Sequence, residues 1–405
     1  MISVALNRLA ELNPPTPEFN IAGLHEDVQF YPLEAVWHDA RADHTRRAPK
    51  EAVATGYSRF HRDDVLVPKV TPTFQAGRAM LAQRMGAGTT ELHVLRARPG
   101  VDPRWICYAV RSGHFLQEGV TAFEGVAGLQ RIPPEYVMNF RIVDIAGDQQ
   151  RRIADFLDDR VLRIDQIITA RRQQSDRVHE LEQAELTQVL WSPGDEVSAL
   201  RRHGVSVTTG PFGTVFSAAD YVDDGIPMVN PTHIKRGAII SDPSHSVSRD
   251  TQRRLARHIL RTNDLVMSRK GDIGHTAKVR QDQAGWICGS DSIAIHAEGS
   301  SIKPEFLDLF LKLTRARGQL IAHSNAATMP SLNEGNLLSL RVPFVNPREQ
   351  EDRIAAGARI QRAASAGVEN LQRSAELLSD YKQALITAAV TGELDVTTAG
   401  SGIPG

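Results

Sequence analysis

Cysteine is scarce: Cys107 and Cys288 are the only two in 405 residues. Two thiols cannot build a disulfide framework, nor a structural zinc site on their own. Both are read as small buried apolar side chains. Long apolar runs are also missing. No stretch approaches the roughly 20 residues a membrane-spanning helix needs. The opening Met1-Ile-Ser-Val-Ala-Leu-Asn-Arg8 has no basic-then-apolar leader layout. No membrane contact is expected, and the expected location is cytoplasmic. Net charge is nearly absent, since 47 Lys and Arg face 48 Asp and Glu, a formal −1. An autonomous nucleic-acid-binding domain often has a pI above about 9. The balance argues against tight binding by overall charge, but leaves room for local basic patches or for contact shared with partners.

Catalytic motifs are missing too. Asn13-Pro-Pro-Thr16 resembles the Asn-Pro-Pro-aromatic loop of adenine methyltransferases, but Thr16 replaces the aromatic. No Gly-rich strand-to-helix turn precedes it, so it reads as a turn. There is no phosphate-binding loop and no Glu-x-Lys triplet of the restriction-nuclease kind. Gly271-Asp-Ile-Gly-His275 is Gly-rich but lacks the strand and helix that would make it a cofactor site. The histidines are scattered without metal-ligand spacing. No catalytic, cofactor-binding or metal residues are therefore assigned, and a binding protein is favoured over an enzyme.

What is present is an apolar fraction of 41%, enough for real cores. The length suggests roughly two to three domains. An internal repeat with an offset of about 200 residues organises the chain. Asp64-Val-Leu-Val-Pro-Lys-Val-Thr-Pro72 matches Asp264-Leu-Val-Met-Ser-Arg-Lys-Gly-Asp272: an acid, a short apolar strand, then a basic turn. Asn139-Phe-Arg-Ile-Val143 before Gly147-Asp-Gln-Gln150 matches Ser339-Leu-Arg-Val-Pro343 before Pro347-Arg-Glu-Gln350. Each copy then enters a proline-free helix, at about 148–190 and 348–390. Ile153, Leu157, Val161, Ile164, Ile168, Val178 and Leu181 form one apolar stripe. Ile354, Val368, Leu371, Ala375, Leu378 and Leu385 form the other. Such stripes predict packed helices with a coiled-coil-like seam.

The segments between are short Val/Ile/Leu runs broken by Gly, Pro, Asn and Asp, such as Ile226-Pro-Met-Val-Asn-Pro231 and Trp286-Ile-Cys-Gly289. They predict mixed globules. The expected fold class is α/β (α+β), with two similar globules, 1–147 and 192–346. Helical spacers 148–191 and 347–396 and a flexible tail 397–405 complete the chain. Paired antiparallel helices of about 40 residues, at 1.5 Å per residue, would act as a rod of roughly 60 Å between the two globules.

Polar and basic side chains gather in the predicted turns. The first globule offers Lys69, Thr71 and Arg78, then Gln130 and Arg131. The second offers Asn230, His233, Lys235 and Arg236, then Arg269, Lys270 and His275. Arg and Lys donate to guanine edges and phosphates, and Asn and Gln pair with adenine. These twelve residues are the candidate DNA contacts.

At this point the sequence resembles a known family. Gly210-Pro-Phe-Gly-Thr214, Asp220-Tyr221 and Gly225-Ile-Pro-Met-Val-Asn-Pro-Thr-His-Ile234 look like the opening of a target recognition domain in the specificity subunits of Type I restriction–modification systems. Asp264-Leu-Val-Met-Ser-Arg-Lys-Gly-Asp-Ile-Gly274, then Ala277-Lys-Val279, is similar to that domain's centre. Gly56-Tyr-Ser-Arg-Phe60, Asp64 to Pro72 and Thr89-Thr-Glu-Leu-His-Val-Leu95 resemble a matching domain. Gln150-Arg-Arg-Ile-Ala-Asp-Phe-Leu-Asp158 and Ala384-Leu-Ile-Thr-Ala-Ala-Val-Thr-Gly-Glu-Leu394 resemble the family's helical regions. Two features depart from the pattern. Gly147-Asp-Gln-Gln150 lacks the usual Pro-rich lead-in and Glu-Gln pair, and the Ala-rich stretch from Ala355 to Gly367 weakens the last helix.

The resemblance implies a non-catalytic subunit with one recognition domain at each end of an antiparallel helical pair. Each domain reads half of a bipartite duplex-DNA target. It implies two methyltransferase subunits docked on the helices and a motor-nuclease subunit as partners. S-adenosylmethionine, ATP and Mg would belong to those partners, with no cofactor in this chain. Other readings stay open: a subunit of a related methylation-linked phage-defence system, a scaffold whose globules bind protein, or an enzyme with an unrecognised site.

Overall fold

The computed structural model describes residues 2–21, 23–39, 41–125, 130–235, 237–324 and 331–396. Its contacts divide the chain into two units. One is Met1–Gln174 with Asn370–Gly405, and the other is Ser175–Glu369. Each unit takes a share of both long helices, Gly147–Leu190 and Pro347–Thr391. Arg236 and the expected tail 397–405 lie outside the described residues.

The first unit holds an antiparallel sheet in the order Ala10–Leu12, Leu92–Ala97, Val65–Pro68, Met80–Leu81. Beside it runs a second sheet, Arg47–Pro49, Asp27–Tyr31, Gly86–Gly88, Ser58–Phe60. Within that sheet Asp27–Tyr31 and Gly86–Gly88 are parallel. Ser3–Ala5 pairs with Arg141–Val143 just ahead of the first long helix.

The second unit is built alike. Its antiparallel sheet runs Ser206–Thr209, Ser292–His296, Leu265–Ser268, Thr276–Lys278. Its second sheet runs Tyr221–Val222, Ser246–Val247, Ile226–Val229, Ile287–Cys288, again with one parallel pair, the last two strands. Glu196–Ala199 pairs with Arg341–Phe344 ahead of the second long helix. The repeat extends to register: Val65 faces Leu95 as Leu265 faces Ile295.

The central strand of each antiparallel sheet has the same origin. All four residues of Val65–Pro68 and of Leu265–Ser268 are buried, as expected for a strand covered on both faces. A left-handed residue precedes each one, Asp63 at φ 66° and Asn263 at φ 68°. Asp and Asn tolerate that conformation best among residues with a Cβ. The following acid closes the turn. Asp64 Oδ2 accepts the His61 N–H at 2.6 Å, and Asp264 Oδ2 accepts the Arg261 N–H at 2.7 Å.

Asn13 also has positive φ, 46°. Its N–H donates to the Val94 carbonyl at 2.6 Å and its Oδ1 accepts the Val94 N–H at 2.9 Å. The Asn-Pro-Pro turn is thereby fixed against a strand.

Each long helix enters the core of the unit it starts or ends in. In the first unit Leu157, Val161, Ile386 and Ala389 join Trp105 and Phe115. In the second, Leu186 and Leu190 join Phe306 and Phe310. Each fully buried aromatic of this kind contributes about 1.5–3 kcal/mol of transfer free energy. The second helix starts cleanly. Asn346 Oδ1 caps it by accepting the Glu349 N–H at 3.0 Å, and Pro347 occupies the position where a missing N–H costs nothing.

Within the first unit, Lys382 on one helix reaches Asp165 on the other at 2.5 Å. Within the second, Val178 lies beside Gly367 and Leu190 beside Arg353, so those segments run antiparallel. Two sequence expectations are revised. Leu181 is 53% exposed, because the seam steps through Val178, Glu182 and Leu186 instead. The last helix runs through the Ala-rich stretch unbroken. Its small residues allow close approach: a Cβ on Gly357 would sit 3.0 Å from Leu309 Cδ1 and 3.5 Å from Leu186 Cδ2.

One buried side chain per unit ties its globule to a long helix. Gln150 Oε1 accepts the Asp102 N–H at 3.0 Å and its amide donates to the Ile145 carbonyl at 3.0 Å. Gln350 Oε1 accepts the Lys303 N–H at 2.7 Å, and its amide donates to the carbonyls of Val345 at 2.9 Å and Ser301 at 2.8 Å. Both cysteines are buried, and burial pushes the Cys288 thiol up to about 12. Among the described residues no helix is long and apolar enough to cross a membrane.

Candidate nucleic-acid interface

A basic residue directly follows the central strand of each antiparallel sheet. In the first unit this is Lys69. Its N–H donates to the Glu91 carbonyl at 2.8 Å and its carbonyl accepts the Ile132 N–H at 2.9 Å. In the second unit Arg269 is held the same way, by the Asp291 carbonyl at 2.9 Å and the Leu332 N–H at 2.8 Å. A cation fixed by its own backbone at the end of a buried strand is well placed for reading a ligand.

Around Lys69 the structure gathers Thr71, Gln130 and Arg131. The Thr71 N–H and hydroxyl donate to the Gln130 carbonyl at 3.3 and 2.9 Å. Arg131 binds Glu91 through both carboxylate oxygens at 2.7 Å. That fork holds the Glu91 carboxyl below the usual carboxylate range. Lys69 Nζ donates to the Thr90 carbonyl at 2.7 Å, and burial holds its ammonium below the usual lysine value.

Around Arg269 the structure gathers Lys270, His275 and Asn230. The buried Ser268 hydroxyl shapes this turn, donating to the Asp272 carbonyl at 2.7 Å and accepting the His275 N–H at 3.1 Å. Asp272 pairs with His275 Nε2 at 2.6 Å and with Arg317, and the His275 contact leads in lowering its carboxyl. Lys270 is exposed and faces Asp291 at 3.9 Å. The Arg269 guanidinium donates to the Leu332 carbonyl at 3.0 Å and touches the Ser290 carbonyl at 3.5 Å.

Asn230 stands on the other side of the Gly289–Asp291 turn. A Cβ on Gly289 would lie 2.8 Å from the Val229 carbonyl oxygen and 2.0 Å from Asn230 Oδ1, and the fixed backbone oxygen is what requires glycine there. The Asn230 amide donates to the Tyr221 hydroxyl at 3.0 Å. Lys235 is exposed on the short strand Ile234–Lys235. Phe212, 69% exposed, follows Gly210, whose N–H donates to the Ser292 carbonyl at 2.9 Å at this same end of the sheet.

Two of the candidate contacts point inward. Arg78 is 9% exposed. Its guanidinium donates to the carbonyls of Val36 at 2.8 Å and Leu33 at 2.7 Å and stacks 3.9 Å from the Trp37 ring centroid. Those bonds serve the first unit's own packing. His233 is 6% exposed, with Nδ1 3.0 Å from the Met228 carbonyl. Sequence reasoning missed Glu91 and Asp291, the acids beside the two cations. The signal was available, because they are spaced 200 positions apart, as Lys69 and Arg269 are.

Comparisons with known proteins converge on one family. Residues 212–357 match the Type I restriction modification DNA specificity domain. The chain is 27% identical over 156 residues to the specificity subunit of the Type I restriction enzyme EcoEI of Escherichia coli. It is 30% identical over 156 residues to the EcoAI specificity subunit of the same organism. These matches cover 37% and 36% of this chain and 26% of each relative's length. A chain of a solved type I R-M system structure matches across 97% of this chain and 98% of its own, at 16% identity and a TM-score of 0.73, a likeness of fold. Within the second unit residues 212–357 thus match the Type I restriction modification DNA specificity domain, and the chain resembles the specificity subunits of Type I restriction–modification systems.

Proposed function

We propose that this chain is the DNA-reading subunit of a Type I restriction–modification complex. Each unit reads one half of a bipartite duplex target from the end of its central strand. Lys69, Thr71, Gln130 and Arg131 serve one half. Asn230, Lys235, Arg269, Lys270 and His275 serve the other, with Arg236 beside them in sequence. Glu91 and Asp291 complete the sites, since a carboxylate accepts from the amino group of cytosine. The observation that carries this reading is the pair of equivalently held cations, Lys69 and Arg269, each beside an acid.

The two sites differ in ways that suit two half-sites. After Lys69 the chain turns into the short helix Thr71–Gln75. After Arg269 it makes a glycine turn, with Gly271 at φ 73° and Gly274 at φ 87°. The cations are also largely paired within the chain. A phosphate must compete with Glu91, Asp291 or Asp272, so non-specific affinity is kept low and correct base contacts decide binding. This accords with the formal charge of −1.

The chemistry belongs to partners in this account. Two methyltransferase subunits carry S-adenosylmethionine and dock on the long helices. A motor-nuclease subunit uses ATP and Mg, and the assembly works in the cytoplasm. The chain alone neither methylates nor cleaves DNA. A related methylation-linked defence system would use the same reading heads. The test is anisotropy of labelled duplexes across a salt series. Binding whose log affinity falls linearly with log salt concentration, and which a random duplex competes poorly, is expected. Absence of duplex binding, with or without methyltransferase partners, would favour a protein-binding scaffold.

A further inference from the structure

His233 and His245 lie twelve positions apart with Asp242 between them, a spacing that does not announce a metal site. Folding brings them together. Each offers a ligand atom, and the three atoms lie within 4.8 Å of one another. The three come from two turns of the second unit. His233 ends the turn Pro231–His233, and Asp242 and His245 flank the turn ahead of Ser246–Val247.

We propose that His233, Asp242 and His245 bind a divalent transition-metal ion of the zinc type. The proposal is independent of the DNA-reading account. Two imidazoles and a carboxylate suit zinc, with solvent in the fourth position. A tetrahedral zinc with bonds near 2.1 Å places its ligand atoms about 3.4 Å apart. Asp242 and His245, both half-exposed, already touch at 2.9 Å, so reaching that spacing takes side-chain shifts of no more than about 1.4 Å.

One tautomer of His233 suits this arrangement. His233 Nδ1 lies between the Met228 carbonyl at 3.0 Å and the Asn230 N–H at 3.2 Å. The shorter contact is a hydrogen bond only when Nδ1 carries the proton. That tautomer leaves Nε2 with a lone pair. A ring N–H held by a backbone carbonyl is the usual support of a metal-binding histidine. The Ser244 N–H and hydroxyl donate to Asp242 Oδ1 at 3.0 and 2.7 Å and orient its carboxyl. His245 Nδ1 is 2.9 Å from Asp242 Oδ2 and 3.1 Å from the Ser244 hydroxyl. The Tyr221 ring packs edge-on against His245 at 5.2 Å, and His233 packs against it at 5.3 Å. A bound ion would tie the Asn230–Lys235 segment to the 242–245 turn.

The experiment uses the full chain, freed of metal by chelation and titrated with zinc by calorimetry. Cobalt absorption serves as a second readout of tetrahedral ligation. One equivalent is expected to bind with micromolar or tighter affinity and to raise the thermal midpoint. Asp242→Asn and His245→Gln, both at half-exposed positions, should each weaken binding at least about tenfold while leaving the circular dichroism unchanged. Failure to bind would overturn the proposal. So would one-equivalent binding that neither variant weakens, because other histidines would then hold the ion. Duplex affinity is not a readout here, so a metal-free protein that still reads DNA removes this proposal alone.

Discussion

Replacing Gln350 by leucine keeps the volume of a side chain that is only 2% exposed and removes its polar atoms. Three backbone groups lose their partner: the Lys303 N–H and the carbonyls of Val345 and Ser301. A hydrogen bond contributes about 0.5–1.5 kcal/mol net, so the three together are worth about 3 kcal/mol. Gln150, 3% exposed, satisfies two such groups, and Gln150→Leu should cost about 2 kcal/mol. The two units need not unfold together, so one global midpoint is the wrong observable. Hydrogen exchange with mass spectrometry resolves them. Gln350→Leu should lower the opening free energy in peptides over Pro304–Leu311, and Gln150→Leu over Pro103–Ala109. Losses below about 1 kcal/mol in both variants would refute the claim that these glutamines clamp their globules to the helices. So would a larger loss for Gln150 than for Gln350.

Arg353 and Asp195 form a nearly buried bidentate pair at 2.6 and 2.7 Å, and Arg353→Leu should cost about 3–5 kcal/mol by stranding the carboxylate. The Arg353 guanidinium holds the Asp195 carboxyl below its ordinary range. Its stabilisation is therefore present above about pH 4 and lost as pH falls through the lowered value. The opening free energy of the second unit, read by hydrogen exchange corrected for intrinsic rates, should drop more steeply with acid in wild type than in Arg353→Leu. Parallel slopes would contradict the pairing. Lys270→Ala and Arg131→Ala should each weaken reading of one half-site only, by about 1–3 kcal/mol if the contact is to a base edge. Competition assays with duplexes altered in one half would expose any loss spread over both. Asp291→Asn removes an acid that faces Lys270, so binding to random duplex should tighten. Unchanged random-duplex affinity would deny that acid its role.

The long helices were legible because their apolar stripes keep a helical period and neither has a proline beyond its first position. The repeat was legible because paired residues such as Asp64 and Asp264, or Gln150 and Gln350, perform the same hydrogen-bonding task. Leu181 was misplaced on the seam because a three-residue step there leaves the stripe by a fraction of a turn. The Ala-rich segment was read as weak because sequence does not reveal Leu309 waiting opposite Gly357. Arg78 looked exposed because it lies in a polar, Gly-containing turn. Its burial depends on Trp37, about 40 residues away and set beside it only by the fold. The parallel pairing of Asp27–Tyr31 with Gly86–Gly88 has the same cause, since long-range strand order leaves no local signature. The approach of His233 to His245 was hidden for that reason too.

The central claim is that two units of one chain read two halves of one target. Methylome sequencing of a host carrying the intact gene, a deletion, or the gene altered at Arg269 and Lys270 tests it most directly. The account predicts adenine methylation at a split motif that needs the gene. The motif should keep a fixed gap between its halves, and the altered gene should relax one half alone. Methylation unchanged by the deletion, a continuous motif, or relaxation of both halves together would contradict it.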